Sequence, residues 1–88
     1  MYFVYMIKNS ADKLYIGVTM DPDKRVNYHN QKRGASFTKY ITDFKIVFLE
    51  NYKDLAVARQ REIQLKKWSR VKKEFLIEKY EQGLETRK

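Results

Sequence analysis

The sequence feature that most constrains the fold is a pair of short apolar runs separated by a polar turn. Residues 2–8 (YFVYMIK) and 14–19 (LYIGVT) are rich in β-branched and aromatic side chains, which favour strands. Residues 9–12 (NSAD) between them are typical turn residues. The sequence therefore predicts a β-hairpin over residues 2–19.

Two tyrosines and a glycine stand out in this predicted hairpin. Side chains alternate between the faces of a strand, and a turn of this length places Tyr5 and Tyr15 within a residue or two of directly opposite each other. The two rings can then share one face, where Gly17 leaves a gap that a ligand or a backbone can approach closely. Ordinary cross-strand packing of two tyrosines remains the alternative.

Three helices and a third strand are predicted after the hairpin. Asp21, Asp54 and Ser69 are capping residues that each precede a helix-forming segment, and Pro22 suits the first helical position. Glycines end the first and third helices, at positions 34 and 83. The predicted helices cover about 22–32, 55–68 and 70–81, the third strand covers 44–52, and residues 34–43 form a basic, polar loop.

The predicted order of elements is β-β-α-β-α-α, which indicates an α+β fold. A three-stranded antiparallel sheet flanked by three helices satisfies this order. A length of 88 residues favours one domain, which we place at residues 1–82, with residues 83–88 as a frayed tail.

The net charge of +8 is concentrated in two zones of the sequence. Residues 24–45 hold six Lys or Arg against one acid, and residues 59–73 hold seven against one. Such zones favour a polyanionic partner, nucleic acid first, although a solubilising surface has the same composition.

The compartment is inferred from what the sequence lacks. It contains no cysteine, so it has no disulfide framework and no thiolate metal site. No segment approaches the roughly 20 apolar residues that span a membrane, and no secretory leader is recognisable. We therefore expect a cytoplasmic protein.

The predicted first helix carries an arginine and a histidine on one face. Arg25 and His29 are four residues apart. The planar guanidinium suits phosphate, and a histidine side chain exchanges protons near neutral pH. An exposed basic helix with an incidental histidine is the alternative.

The predicted second helix places a glutamate at a core position. Spacings of three, four and three residues separate Leu55, Ala58, Glu62 and Leu65. A buried carboxylate is costly unless it is paired or binds a metal. Arg59 and Lys66 stand at helical spacing as structural partners, and a single hard cation such as Mg²⁺ is the other possibility.

Taken in order, these motifs resemble the GIY-YIG nuclease domain. They are Val4-Tyr5-Met6, Tyr15-Ile16-Gly17, Arg25-x-x-x-His29-Asn30 and Glu62. The resemblance covers essentially the whole chain. It is closest to the small, stand-alone bacterial members, whose type of sequence is also found at residues 63–70 (IQLKKWSR).

The resemblance implies a metal-dependent phosphodiesterase that acts on DNA in repair or recombination, directed by structure or weakly by sequence. It assigns Tyr5 and Tyr15 to a site in which one tyrosine orients or deprotonates the attacking water. Arg25 would stabilise phosphate charge, His29 would help proton transfer, and Glu62 would bind one Mg²⁺ or Mn²⁺ ion. Gly17 and Asn30 would shape this site.

Seven basic residues are predicted to hold the nucleic acid backbone. They are Lys24, Lys32, Arg33, Lys39, Lys66, Lys67 and Arg70. A protein partner that supplies specificity is also expected, because the chain lacks the accessory DNA-binding domain of sequence-specific members.

Two positions depart from the family pattern. Val4 replaces the first glycine of the family's name, and no asparagine follows Glu62, although many catalytic members have one 12–15 residues later. The second departure keeps an alternative open, namely a non-catalytic nucleic-acid-binding or protein-interaction adaptor on a nuclease scaffold.

Overall fold

Six elements follow one another in the computed structural model, which describes residues 1–31 and 43–87. Their order is β-β-α-β-α-α, as the sequence predicts. They are β1 (Tyr2–Lys8), β2 (Leu14–Thr19), α1 (Pro22–Asn30), β3 (Lys45–Tyr52), α2 (Leu55–Lys66) and α3 (Arg70–Glu81). In these residues no helix has the length and apolar character that crossing a bilayer requires.

Each helix begins where its capping residue predicts. The side chains of Asp21, Asp54 and Ser69 accept hydrogen bonds from backbone N–H groups of the first helical turns. α1 ends at Asn30, two residues before the predicted end, and Gly34 lies outside the described residues. Gly83 ends α3 with a φ of +75°, a left-handed conformation that favours glycine.

The sheet has the order β2-β1-β3, and both pairings are antiparallel. β1 is therefore the central strand, with the other two strands as edges. In the hairpin Tyr5 lies opposite Gly17, and Ile7 lies opposite Tyr15. A bulge between Met6 and Ile7 shifts the register of β1 against β3.

The main core lies between one face of the sheet and the last two helices. Its sheet side comes from Val4, Met6 and Phe48, none of which is exposed. α2 and α3 complete the core with Ala58, Leu65, Leu76 and Ile77. The opposite face of the sheet carries Tyr5 and Tyr15.

A buried carboxylate on β3 fastens the strand to α2. Glu50 is 2% exposed and accepts two hydrogen bonds from Arg61, at 2.9 and 3.0 Å. The hydroxyl groups of Tyr52 and Thr86 each donate to the same carboxylate at 2.7 Å. Burial and the bond to Glu50 raise the pKa of Tyr52 to about 12, so this phenol remains a donor.

The C-terminal residues that follow α3 contact β3 and α2. The backbone oxygen of Thr86 accepts from Arg61 at 2.8 Å, and Arg87 lies over the ring of Tyr52. This segment lacks an apolar pattern, which is why the sequence predicts a tail. Thr86 joins it to the buried ion pair of Glu50 and Arg61, and the frayed tail over residues 83–88 stays a prediction.

Candidate active site

The ring of Tyr5 lies directly over Gly17. A Cβ atom built on Gly17 would be 2.6 Å from the Tyr5 hydroxyl oxygen and 2.8 Å from its Cζ. Glycine is thus required here because the tyrosine of the neighbouring strand fills the space above it. The gap expected from the sequence exists, but Tyr5 occupies it, and this residue is 5% exposed.

A Gly17→Ala substitution should therefore displace the Tyr5 phenol. We expect a loss of about 1–3 kcal/mol in the free energy of unfolding, which is typical of overpacking. Urea unfolding measures it, and the cycle with Tyr5→Leu supplies the control. Without the ring, the added methyl should cost little. Equal losses in both backgrounds would contradict the steric explanation.

Two charged side chains from different helices act on the Tyr5 phenol. Burial raises the pKa of Tyr5, the positive charge of Arg25 opposes this shift, and the negative charge of Glu62 adds to it. α1, α2 and β1 therefore bring Arg25, Glu62 and Tyr5 within electrostatic reach of one another. With a raised pKa, Tyr5 stays protonated at neutral pH and can donate a hydrogen bond.

The second tyrosine stacks on the histidine of α1. The rings of Tyr15 and His29 are 5.4 Å apart with an interplanar angle of 24°. Phe44, which precedes β3, packs against both rings at 5.4 and 5.9 Å. Because Tyr15 shares a face with Tyr5, this contact shows that α1 covers the face of the sheet that bears both tyrosines.

Asn30 holds the phenylalanine of this cluster in place. Its side-chain Nδ2 donates to the carbonyl oxygen of Phe44 at 3.1 Å, and its Oδ1 accepts from the Phe44 N–H at 2.8 Å. These two hydrogen bonds link the end of α1 to the residue that precedes β3. Asn30 therefore positions Phe44, which in turn packs on Tyr15 and His29.

Glu62 is a buried carboxylate with two cationic neighbours. It is 8% exposed, and its two oxygens lie 3.3 Å from an Arg59 nitrogen and 3.0 Å from Lys66 Nζ. The structural pairing that the sequence left open is thus present. Both partners are more than half exposed, so either can turn into water at small cost.

The donor set around Glu62 suits a lightly held hard cation. Among residues 1–31 and 43–87, no three His, Cys, Asp or Glu side chains cluster as an all-protein metal site. Mg²⁺ is commonly bound through one or two carboxylates together with water and substrate phosphate oxygens. One buried carboxylate whose partners can withdraw fits that mode of binding.

The predicted phosphate-binding residues differ in what they contact. Lys24, Arg25 and Lys67 have exposed side chains, whereas Lys66 pairs with Glu62. Arg70 pairs with Glu74 at 2.7 Å and with the Asp12 carboxylate and backbone oxygen, an arrangement that ties α3 to the hairpin turn. Lys32, Arg33 and Lys39 lie outside the described residues.

Residues of α3 stand where many family members carry an asparagine after the metal-binding glutamate, and they make structural contacts. Glu74 pairs with Lys8 at 2.8 Å, and Leu76 and Ile77 belong to the core. The pKa of Glu74 is lowered, first by the hydrogen bond from Lys8. This stretch of α3 therefore has a structural role.

Sequence reasoning overlooked two aromatic residues near the site. Phe44 packs on Tyr15 and His29, and the exposed Tyr28 meets His29 edge-on at 6.2 Å. Aromatic side chains beside a basic helix are the signal that was available for both.

The sheet order and the sequence of elements define a small α+β domain whose central strand comes first in the chain. A family model described as the GIY-YIG catalytic domain matches residues 1–75, and the chain belongs to that family. The resemblance drawn from the motifs is thereby confirmed.

Curated relatives and a solved structure agree with this assignment. The chain is 38% identical to the UPF0213 protein YazA of Bacillus subtilis (strain 168) over 88% of its length and 78% of that protein. It is also 38% identical to a UPF0213 protein of Staphylococcus aureus (strain Mu3), over 86% of this chain and 93% of the relative. The solution NMR structure of the UPF0213 protein BH0048 from Bacillus halodurans matches with a TM-score of 0.57 and 30% identity, over 89% of this chain and 84% of that one.

Proposed function

We propose that the protein is a nuclease of the GIY-YIG type that hydrolyses phosphodiester bonds in DNA with one Mg²⁺ or Mn²⁺ ion. The observation that carries the proposal is that charges from two helices, those of Arg25 and Glu62, both act on the buried phenol of Tyr5. Phosphodiester hydrolysis needs positive charge on the phosphate oxygens and an oriented water. Arg25 and a cation held by Glu62 would provide the positive charge, and the Tyr5 hydroxyl would orient the water.

Glu62 would hold the cation through its one carboxylate. A bound cation would supply positive charge that stabilises the phosphate oxygens. Arg25, exposed on α1, binds the phosphate with its planar guanidinium. Lys24 and Lys67 hold the neighbouring backbone.

The two tyrosines then take different parts. The raised pKa of Tyr5 makes it a hydrogen-bond donor that orients water or phosphate, not a base. Tyr15 lies against His29, so this pair is the better placed to accept the proton of the attacking water. Gly17 and Asn30 support these two positions by admitting the Tyr5 ring and by fixing Phe44.

We propose DNA with a branched or single-stranded part as the substrate, as occurs in repair and recombination. The described residues contain no accessory domain for reading a long base sequence. Recognition of DNA shape, or a protein partner, would then supply specificity. Binding through exposed lysines and arginines should weaken steeply as the salt concentration rises.

Removal of the metal tests the proposal directly. Purified protein should nick plasmid DNA or cut a splayed or flap DNA with Mg²⁺ or Mn²⁺, and EDTA should abolish the cleavage. Excess Mg²⁺ should restore it, while DNA binding should persist without metal because the lysines carry it. Cleavage that survives EDTA, or an absence of cleavage on every DNA with both metals, would contradict the proposal.

The absence of an asparagine after Glu62 favours a second candidate, a nucleic-acid-binding adaptor on the same scaffold. This candidate predicts DNA binding in the metal experiment without any cleavage. Equal affinity for DNA at low and high salt would argue against binding through phosphates and would favour an adaptor that binds protein.

A further inference from the structure

A groove lies beside Arg25, between the end of β2 and the exposed face of α1. Its volume is about 380 Å³, within the range of about 300–1,000 Å³ that is usual for small-ligand sites. It is lined by Thr19, Asp21, Lys24, Arg25 and Tyr28. The groove shares only Arg25 with the residues that converge on Tyr5, so it is an extension of that site.

Tyr28 forms the aromatic wall of this groove. The residue is 65% exposed although it has a large, mostly apolar side chain. It follows Lys24 by four residues and Arg25 by three, so all three side chains share one face of α1. An exposed aromatic ring beside cationic side chains is the arrangement on which unpaired bases stack.

The polar groups on the floor of the groove already have partners. The Asp21 carboxylate caps α1 by accepting from the Lys24 N–H at 3.1 Å. The Thr19 hydroxyl accepts from the Asp21 N–H at 3.1 Å and donates to the Asp21 carbonyl oxygen at 3.3 Å. The groups that remain for a ligand are the two cations and the ring of Tyr28.

We propose that this groove binds one unpaired nucleotide of the DNA strand, with its base stacked on Tyr28 and its phosphate on Arg25. This inference rests on the proposed function and specifies its substrate. A base inside a duplex is stacked on its neighbours and cannot reach the ring without being flipped out. The substrate therefore has a single-stranded segment at the cleaved phosphate.

Metal-free binding separates stacking from cleavage. The probes are a short fluorescein-labelled oligothymidylate strand and a fluorescein-labelled, blunt-ended duplex of two fully complementary strands, measured by anisotropy with EDTA present. Tyr28→Ala should weaken binding of the single strand about 5- to 150-fold, the usual effect of losing one base stack, and leave the duplex within two-fold. Tyr28→Phe should retain the affinity because its ring still stacks.

Phe75→Ala is the matched control. Phe75 is an exposed aromatic residue, 63% exposed, that stands on α3 and lines different grooves. Its replacement should leave binding of both probes unchanged. Thermal melting should show both alanine variants folded, since alanine favours a helix more than either aromatic residue.

Several outcomes would overturn the inference. Equal single-strand binding by wild type and Tyr28→Ala would overturn it, as would an equal loss on the duplex. Competition by free thymidine monophosphate as strong as that by the strand would show a site for free nucleotides instead. If the wild type cuts DNA and Tyr28→Ala retains full single-strand affinity, the nucleotide-binding groove is contradicted and the nuclease function is still supported. If Tyr28→Ala loses affinity for the single strand only, and the wild type cuts no DNA, the nucleotide-binding groove is supported and the nuclease function is contradicted.

Discussion

Glu62→Gln is expected to lower the rate of DNA cleavage about 1,000-fold or more while DNA binding changes little. Glutamine keeps the shape of the side chain but loses the charge that holds the cation. A metal ion contributes several kcal/mol of charge stabilisation to such a reaction, and each 1.36 kcal/mol corresponds to a factor of about ten in rate. Single-turnover cleavage with saturating enzyme and Mg²⁺ measures this loss.

Two kinds of control show whether the loss is specific to the metal-binding role. Arg59→Ala and Lys66→Ala remove the ion-pair partners of Glu62 and should leave cleavage within several-fold of wild type. Glu78→Gln changes an exposed carboxylate on α3 and should have no effect. If Glu62→Gln cuts as fast as wild type, the carboxylate has only the structural role of pairing Arg59 and Lys66.

Arg61→Ala is expected to lower the free energy of unfolding by about 3–5 kcal/mol, a large part of the 5–15 kcal/mol typical of a small domain. It leaves the buried carboxylate of Glu50 without its main partner. Urea unfolding followed by tryptophan fluorescence measures the change. Trp68 lies near Arg61, so the probe reports on this region.

Arg59→Ala provides a matched comparison on the same helix. Arg59 also pairs with a glutamate, but its side chain is more than half exposed, so its loss should cost less than about 1 kcal/mol. The double variant Glu50→Gln with Arg61→Met should recover much of the lost stability because no buried charge remains. Equal costs for the two arginine variants would contradict a special role for Glu50.

The same pair sets how stability depends on pH. Burial alone raises the pKa of Glu50, but hydrogen bonds from Arg61, Thr86 and Tyr52 outweigh it and hold the pKa below its usual value. The folded state thus binds a proton less readily than the unfolded chain. The stabilisation is complete above the unfolded value, about 4.3, and is lost as the pH falls through the lower folded value. Arg61→Ala should flatten that acid-side loss, and Glu74 and Asp43, whose pKa values are also lowered, contribute to the part that remains.

The boundaries of the elements could largely be predicted because local signals determine them. Asp21, Asp54 and Ser69 place the helix starts, and β-branched and aromatic runs place the strands. The end of α2 was harder to predict. There the N–H groups of Lys67 and Trp68 bond to carbonyls three residues back, a tighter turn that ends the regular helix at Lys66.

The chemistry of the site was predictable only in part. Helical spacing revealed the buried position of Glu62, and the alternation of strands placed Tyr5 and Tyr15 on one face. That Tyr5 would fill the space over Gly17 depends on the register of the hairpin, which residue types alone do not determine.

Glu50 is a second residue whose contacts could not be predicted from residue spacing. It stands two residues from Phe48 on β3 and so faces the core, a signal equivalent to the one that revealed Glu62. What could not be foreseen is that its partners come from three separate places, Tyr52, Arg61 and Thr86. Contacts between residues distant in the sequence require the assembled fold.

The central position of β1 has a consequence for how the chain reaches this fold. The hairpin with β2 is a local structure that closes within microseconds, whereas β3 must find the other edge of β1 across a long intervening segment. Docking of β3 is therefore expected to be the slow step. Until it occurs, the backbone N–H and C=O groups on the outer edge of β1 have no strand partner. During synthesis, that bare edge is the part of the nascent polypeptide most open to wrong pairing with a second copy.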